Sequence, residues 1–261
     1  MPLKQSVVLP MMFDCKQPLD TLMGQIREIG YPAVEFWDRG GLTDYTATFE
    51  LVRKKGLVIA TMGGHGELSD GLNKVENHDR IEAELRASID IAVKFGIPGL
   101  ICFSGNRNNG QDDYEGLVAC AKGLKRIAPY AEEKKVNLNV ELLNSKVDHA
   151  GYQADRTTWG MALCEMVGSP RVKLLFDIYH MQIMEGDVIR TIRKAIKHIG
   201  HFHTAGNPGR NDMDDLQELN YRGICKAIVD TGYDLYAGHE FKPQADLLPA
   251  IRQAFAICDQ K

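Results

Sequence analysis

Four short apolar runs in the second half of the chain each close on a residue that binds metal ions or moves protons. They are Asn137-Leu-Asn-Val-Glu141, Val172-Lys-Leu-Leu-Phe-Asp177, Ile199-Gly-His-Phe-His203 and Tyr236-Ala-Gly-His-Glu240. The closing residues are 36, 26 and 37 positions apart (141 to 177, 177 to 203, 203 to 240). Two glutamates, an aspartate and a neutral imidazole form a mixed oxygen and nitrogen set that suits Mg²⁺, Mn²⁺, Co²⁺ or Zn²⁺, with no thiolate to force zinc. Such an ion would polarise a carbonyl and an adjacent hydroxyl and stabilise an enediolate. Glu141 and Glu240 could in addition act as bases, one taking a proton from carbon while the other returns one to the neighbouring carbon. That is the chemistry of aldose–ketose isomerisation or ketose epimerisation.

Further polar groups surround this set. His180, three residues past Asp177, is placed to hydrogen-bond a substrate hydroxyl or carbonyl. Arg210, in Gly206-Asn-Pro-Gly-Arg210, could clamp a carboxylate through two parallel hydrogen bonds. Lys146 and His149, in Asn144-Ser-Lys-Val-Asp-His149, could cover the site, and His65, in Gly63-Gly-His-Gly66, is a further substrate-binding candidate. His201 and His203 share a parity, so both can point inward; His203 takes the metal role because it lies nearer the strand end, leaving His201 as a packed core histidine. His78 and His198 fall in helical segments and read as surface residues. Glu35 reads as an acid that supports the site from behind the ligands or as half of a structural ion pair, the structural reading foremost, and Arg107 either touches substrate or orders its loop.

These residues need a scaffold that delivers strand ends to one place. Strand-like runs occur at 6–12, 33–38, 57–62, 99–104, 137–143, 172–179, 199–204 and 235–241. They are short, apolar and rich in β-branched residues, as strands covered on both faces should be. Helical spacing separates them, as in Leu19, Leu22, Ile26 and Ile29, or Ile81, Leu85, Ile89 and Ala92. Gly30, Gly56, Gly96, Gly168 and Gly232 mark helix ends. Eight alternations at about 30-residue spacing predict a single α/β domain over residues 1–261, a closed (β/α)8 TIM barrel whose active site lies at the C-terminal ends of the strands. No GxGxxG follows the first strand and no GxxxxGK[ST] occurs, so no nucleotide cofactor is expected.

The chain has 261 residues, 44% hydrophobic and 25% charged, with a formal charge of −4. That balance offers no basic footprint to a phosphate backbone, so nucleic acid is not an expected partner. No run approaches the roughly 20 apolar residues that span a bilayer, and no signal-peptide stretch is present, so a soluble cytoplasmic protein acting on a small molecule is expected. The six cysteines (Cys15, Cys102, Cys120, Cys164, Cys225, Cys258) show no metal-site spacing and read as small buried hydrophobes. Barrels of this size often pair into homo-oligomers, and the sequence leaves the oligomeric state open.

With these residues in hand, the chain resembles the xylose-isomerase-like barrel superfamily, and within it the hydroxypyruvate isomerase branch. The likeness rests on Val140-Glu-Leu-Leu-Asn-Ser-Lys-Val-Asp-His149, Phe176-Asp-Ile-Tyr-His-Met-Gln-Ile-Met-Glu-Gly-Asp187, Gly200-His-Phe-His-Thr-Ala-Gly206 and Gly238-His-Glu-Phe241. The resemblance implies that Glu141 and Glu240 are the proton-transferring pair, that Glu141, Asp177, His203 and Glu240 hold a metal, and that His180 binds substrate. Some members of that branch are described as needing no added metal. The first third departs from the pattern: Phe36-Trp-Asp-Arg-Gly-Gly41 replaces the branch's usual Phe-Pro-Tyr type of sequence, and residues 63–73 also differ. Those loops bear on substrate choice. The expectation is an isomerase of a small hydroxy-keto acid or ketose, hydroxypyruvate to tartronate semialdehyde foremost. A ketose 3-epimerase and a 2-oxo-tetronate isomerase are the alternatives, and a barrel that binds a sugar acid without turning it over ranks below them. An abasic-site nuclease would need more histidine ligands and a basic face.

Overall fold

A computed structural model describes residues 2–9, 17–37 and 45–260. The expected extensions of the first strand to Met12 and the second to Asp38, and Cys15, lie outside these residues. Eight strands follow in order: β1 (Lys4–Val8), β2 (Ala33–Glu35), β3 (Val58–Gly63), β4 (Gly99–Cys102), β5 (Asn137–Leu142), β6 (Val172–Asp177), β7 (Ile199–Thr204) and β8 (Tyr236–His239). All pair in parallel with their sequence neighbours, and β8 returns to β1, closing the barrel. The helices between them are α1 (Leu19–Ile29), α2 (Tyr45–Lys54), α3 (His78–Phe95), α4 (Asp113–Lys134), α5 (Thr157–Val167), α6 (Ile178–Met184), α7 (Val188–Ala195), α8 (Tyr221–Asp230) and α9 (Leu247–Cys258). Among the described residues no helix is long and apolar enough to cross a membrane.

The period-2 pattern divides each strand between two environments. Val140 and Leu142 of β5, Leu174 and Phe176 of β6 and Phe202 of β7 belong to the apolar layer under the helices, where each is fully buried. The alternate positions, Asn139 and Glu141, Asp177, and His201 and His203, are polar and equally buried. Register then aligns the chemistry: Asp177 lies beside His203, and His203 beside Gly238. A register shift between Leu174 and Leu175 brings Asp177 level with His203.

Helix boundaries follow local chemistry. Asp112 and Glu115 form a reciprocal capping box at the start of α4. The glycines read as helix ends do that work at Gly30, Gly96 and Gly168, which follow α1, α3 and α5. The five cysteines among the described residues are free and buried. Two expectations fail. His78 is buried rather than on the surface, its Nε2 bonded to the Leu72 carbonyl at 2.9 Å. Gly123 of α4 makes room for its ring: a Cβ there would lie 2.8 Å from His78 Nε2. His198 is also buried, 3.4 Å from Glu165.

Candidate active site

The site is built on a buried carboxylate. Glu35, at the end of β2, receives Ser6 Oγ and His201 Nε2 on one oxygen and His203 Nε2 on the other, the two imidazole contacts both at 3.0 Å. Burial alone would raise the pKa of Glu35; His201 and then His203 overcome this and hold it at about 2. Gly238 of β8 explains how a carboxylate fits there, because a Cβ at that position would lie 2.3 Å from Glu35 Oε1. The Glu35–His201–His203 group is therefore a hydrogen-bonded support whose acceptors are already filled. Its consequence is a fixed tautomer: Nε2–H of His203 donates to Glu35, and Nδ1 turns its lone pair the other way. A carboxylate orienting an imidazole in this manner is the usual support for a metal-binding histidine.

His203 Nδ1 faces Glu240 Oε2 at 3.0 Å and Glu141 Oε1 at 3.5 Å. Glu141, Asp177, His203 and Glu240 present one donor atom each, all within 4.8 Å of one another, and all four residues are buried. Nδ1 makes no hydrogen bond of its own. A lone pair packed against two carboxylates requires positive charge between them, either a proton or a cation. Burial pushes the His203 pKa down, but the charges of Glu240, Glu141 and Glu35 override it and raise it well above the ordinary value. The same field would hold a divalent ion, so the residues fit the metal that their chemistry suggests.

The three carboxylates are not equivalent. Burial raises the pKa of Glu141, with the neighbouring charge of Glu240 adding to the effect. Burial likewise raises that of Asp177, against the pull of Arg210. Glu240 goes the other way: burial is outweighed by Arg210 and His203, and the carboxylate stays ionised. Arg210 Nη2 hydrogen-bonds Glu240 Oε2 and lies 3.6 Å from Asp177 Oδ2. The Trp37 indole N–H donates to Glu240 Oε1 at 2.5 Å.

A cavity of about 350 Å³ opens over this floor. Glu141 and Glu240 line it together with Arg210, His149, His65, Glu67 and an apolar wall of Trp37, Leu68, Ile101, Phe103 and Leu143. Asp177 and His203 are not among the lining residues; they lie beneath. A separate cleft of about 420 Å³, between residues 213–222 and α9, contains none of the four.

The substrate-binding candidates separate. Arg210 and His65 line the cavity. His65 accepts the Phe103 N–H on Nε2 at 2.9 Å and donates from Nδ1 to the Gly66 carbonyl at 2.8 Å, so both ring nitrogens are occupied and it serves as wall. His180 is fully buried behind Asp177. Its Nδ1 takes a hydrogen bond from Asn144 at 2.6 Å, and its Nε2, without a partner, sits 3.6 Å from Asp177 Oδ2. Lys146 does not cover the mouth. Its ammonium donates to the carbonyls of Ile183 and Met184, at 2.8 and 3.2 Å, because the last turn of α6 leaves those acceptors open within reach. Arg107 orders its loop, binding the Tyr152 carbonyl, Asp155 and Asp113. Sequence reasoning singles out none of Trp37, Phe103 and Glu67 as site residues, although Trp37 and Glu67 fall in the two segments, 36–41 and 63–73, that it reads as bearing on substrate choice. Trp37 left a signal in its position, a tryptophan directly after a strand run where the active face of a barrel is built; the structure leaves it 42% exposed there.

Comparison with known proteins places the chain in a family. Residues 23–258 match the sequence profile of the xylose isomerase-like TIM barrel family. The chain is 33% identical over 174 residues to the 2-oxo-tetronate isomerase of Cupriavidus necator, covering 63% of this chain and 64% of that relative. It is 28% identical over 175 residues to the hydroxypyruvate isomerase of Escherichia coli, covering 66% and 67%. The aligned part thus spans about two thirds of each relative's length. The solved structure of an AP endonuclease, family 2, from Brucella melitensis superposes with a TM-score of 0.87 at 21% identity over 100% of both chains, a likeness of fold. A closed eight-stranded parallel barrel and a profile match over nearly its whole length lead to one conclusion: the chain belongs to the xylose isomerase-like TIM barrel family.

Proposed function

We propose that the chain is an intramolecular oxidoreductase that interconverts a short hydroxy-2-oxo acid with its aldehyde isomer, hydroxypyruvate and tartronate semialdehyde being the simplest such pair. The observation that carries this reading is the placement of Glu141 and Glu240 on one cavity wall beside Arg210. Glu240, held ionised, takes the proton from the hydroxymethyl carbon. Glu141, whose pKa burial pushes upward, lines the same cavity and is the group placed to return a proton to the former carbonyl carbon. The hydroxyl proton passes between the two oxygens, so the atoms balance and no external oxidant is needed. Two carboxylates displaced in opposite directions supply an acid and a base at one pH.

Glu141, Asp177, His203 and Glu240 fit a divalent ion such as Mg²⁺, Mn²⁺, Co²⁺ or Zn²⁺, which when bound would polarise the substrate's carbonyl and hydroxyl oxygens. Arg210 orients the substrate carboxylate, and the Nε2–H of His180, buried without an acceptor, supplies a donor behind Asp177. Lys146 has no part in this scheme. Trp37, Ile101, Phe103 and Leu143 give the cavity an apolar wall beside the two glutamates.

The test is isomerisation of hydroxypyruvate in deuterated water, read by mass spectrometry. Solvent deuterium should enter at the carbon next to the aldehyde. No exchange from any three- to six-carbon 2-oxo acid or ketose would end the isomerase reading. A second reading rests on cavity size: about 350 Å³ has room beyond a three-carbon acid. A four-carbon 2-oxo-tetronate, or a free ketose undergoing 3-epimerisation, would use the same two glutamates.

A further inference from the structure

Arg210 is bound to the wrong partners for a residue that only waits for substrate. Its Nη2 contacts Glu240 Oε2 and approaches Asp177 Oδ2, which are two of the four cation-binding carboxylate and imidazole residues. Glu240 Oε2 is also the oxygen that faces His203 Nδ1. A divalent ion bonded to these carboxylates would sit about 2 Å from each oxygen, inside the space that the guanidinium addresses. Two cations on one buried oxygen repel strongly where little water screens them. The guanidinium and the ion therefore compete.

The rest of the guanidinium is poorly satisfied. Nε is buried and has no acceptor. The side chain is 23% exposed and lines the cavity, which puts the arginine within reach of an incoming carboxylate. The guanidinium carbon also lies 5.8 Å from the centroid of the Tyr179 ring, a partner for the cation besides the carboxylates. The backbone can stay in place while the side chain moves, since the Arg210 carbonyl is anchored by Lys242 N–H at 2.8 Å.

We propose that Arg210 is an internal counter-cation that a carboxylate ligand draws off Glu240 and Asp177, so that carboxylate binding and divalent-ion binding reinforce each other. The site then selects 2-oxo acids over neutral ketoses, because only a carboxylate releases the two acidic residues. This rests on the reading that the cavity takes a 2-oxo acid.

The test measures binding rather than turnover. Mn²⁺ is titrated into the intact protein alone, with pyruvate (a 2-oxo carboxylate without the 3-hydroxyl) and with hydroxyacetone (a neutral hydroxyketone of similar size), following free Mn²⁺ by electron paramagnetic resonance. Pyruvate should tighten Mn²⁺ binding by about 5–150-fold, the usual range for coupled sites, and hydroxyacetone should leave it unchanged. In Arg210→Met, Mn²⁺ should bind more tightly than to the unaltered chain without any ligand, and most of the pyruvate effect should vanish. Equal coupling by hydroxyacetone overturns the proposal in the unaltered chain, whatever the variant does. So does an Arg210→Met protein that binds Mn²⁺ no better than the parent, or one that keeps the full pyruvate effect. Loss of coupling with deuterium exchange retained sinks this proposal alone; absent exchange with coupling retained sinks only the isomerase reading.

Discussion

Replacing Glu35 with glutamine tests the support beneath the site. Glutamine keeps the shape, so no cavity opens and Gly238 still accommodates the group. The substitution removes the charge on which Ser6, His201 and His203 converge. The fall of the Glu35 pKa from an ordinary 4.5 to about 2 on folding is worth roughly 3 kcal/mol of stability. Because the folded pKa is the lower one, this contribution is fully present above pH 4.5 and is lost as pH falls towards 2. At neutral pH Glu35→Gln should therefore lower Tm by on the order of 6–12 °C, taking about 2–4 °C per kcal/mol for a chain approaching this length. The difference between the two proteins should shrink in melts below pH 4.5, because the unfolded parent chain takes up a proton at Glu35 there while the folded chain stays ionised until about pH 2. Metal affinity should fall as well, by about 10–100-fold, since the ring of His203 loses the charged acceptor that fixes its tautomer. Circular dichroism melts at pH 7 and pH 3, with a Mn²⁺ titration, measure both. A variant that melts within a degree or two of the parent at pH 7 and binds Mn²⁺ equally well would refute the idea that Glu35 organises the site.

Gly238→Ala introduces a methyl group 2.3 Å from Glu35 Oε1 and 2.9 Å from Oε2, against a carboxylate already held by Ser6, His201 and His203; it should cost about 1–3 kcal/mol in chemical denaturation and weaken Mn²⁺ binding in parallel. Glu141→Gln and Glu240→Gln should each lower kcat by about 10²–10⁴-fold while the protein still binds pyruvate by calorimetry; near-normal turnover would remove that glutamate from the proton path. Lys146→Ala should leave KM unchanged, because its ammonium caps α6 rather than facing the cavity; a large rise in KM would return it to the substrate.

The four acid- and histidine-ended strands are legible because a parallel barrel writes its active face into sequence: each covered strand is an apolar run, and the residue that closes the run points at the mouth. The parity of His201 and His203 is legible for the same reason, and both do face inward. Strand 2 is less so. Glu35 ends a three-residue strand, and its meaning depends on groups from β1, β7 and the gap at Gly238 on β8, which only closure of the barrel brings together. Lys146 shows the opposite failure. A cation in a loop beside the site reads as reaching substrate, yet the carbonyls that α6 leaves open at its end are nearer. His78 reads as a surface residue because a helical position says nothing about which neighbour lacks a side chain, and Gly123 is that neighbour.

Arg210 joins both lessons. Its position after β7 makes a carboxylate clamp a natural reading, and it does line the cavity. Sequence could not supply the present partner of that clamp. In a site with three buried carboxylates and one imidazole, electroneutrality has to be met by whatever cation is at hand, and a guanidinium on an adjacent loop is tethered and therefore always present. The same charge that would recognise a substrate also neutralises the acid cluster, so substrate recognition and cation binding draw on one residue. A barrel that uses neutral sugars has no ligand charge with which to relocate such an arginine. One that uses 2-oxo acids does, and the pairing of Arg210 with Glu240 is for that reason the contact in this molecule that bears most directly on which substrate it takes.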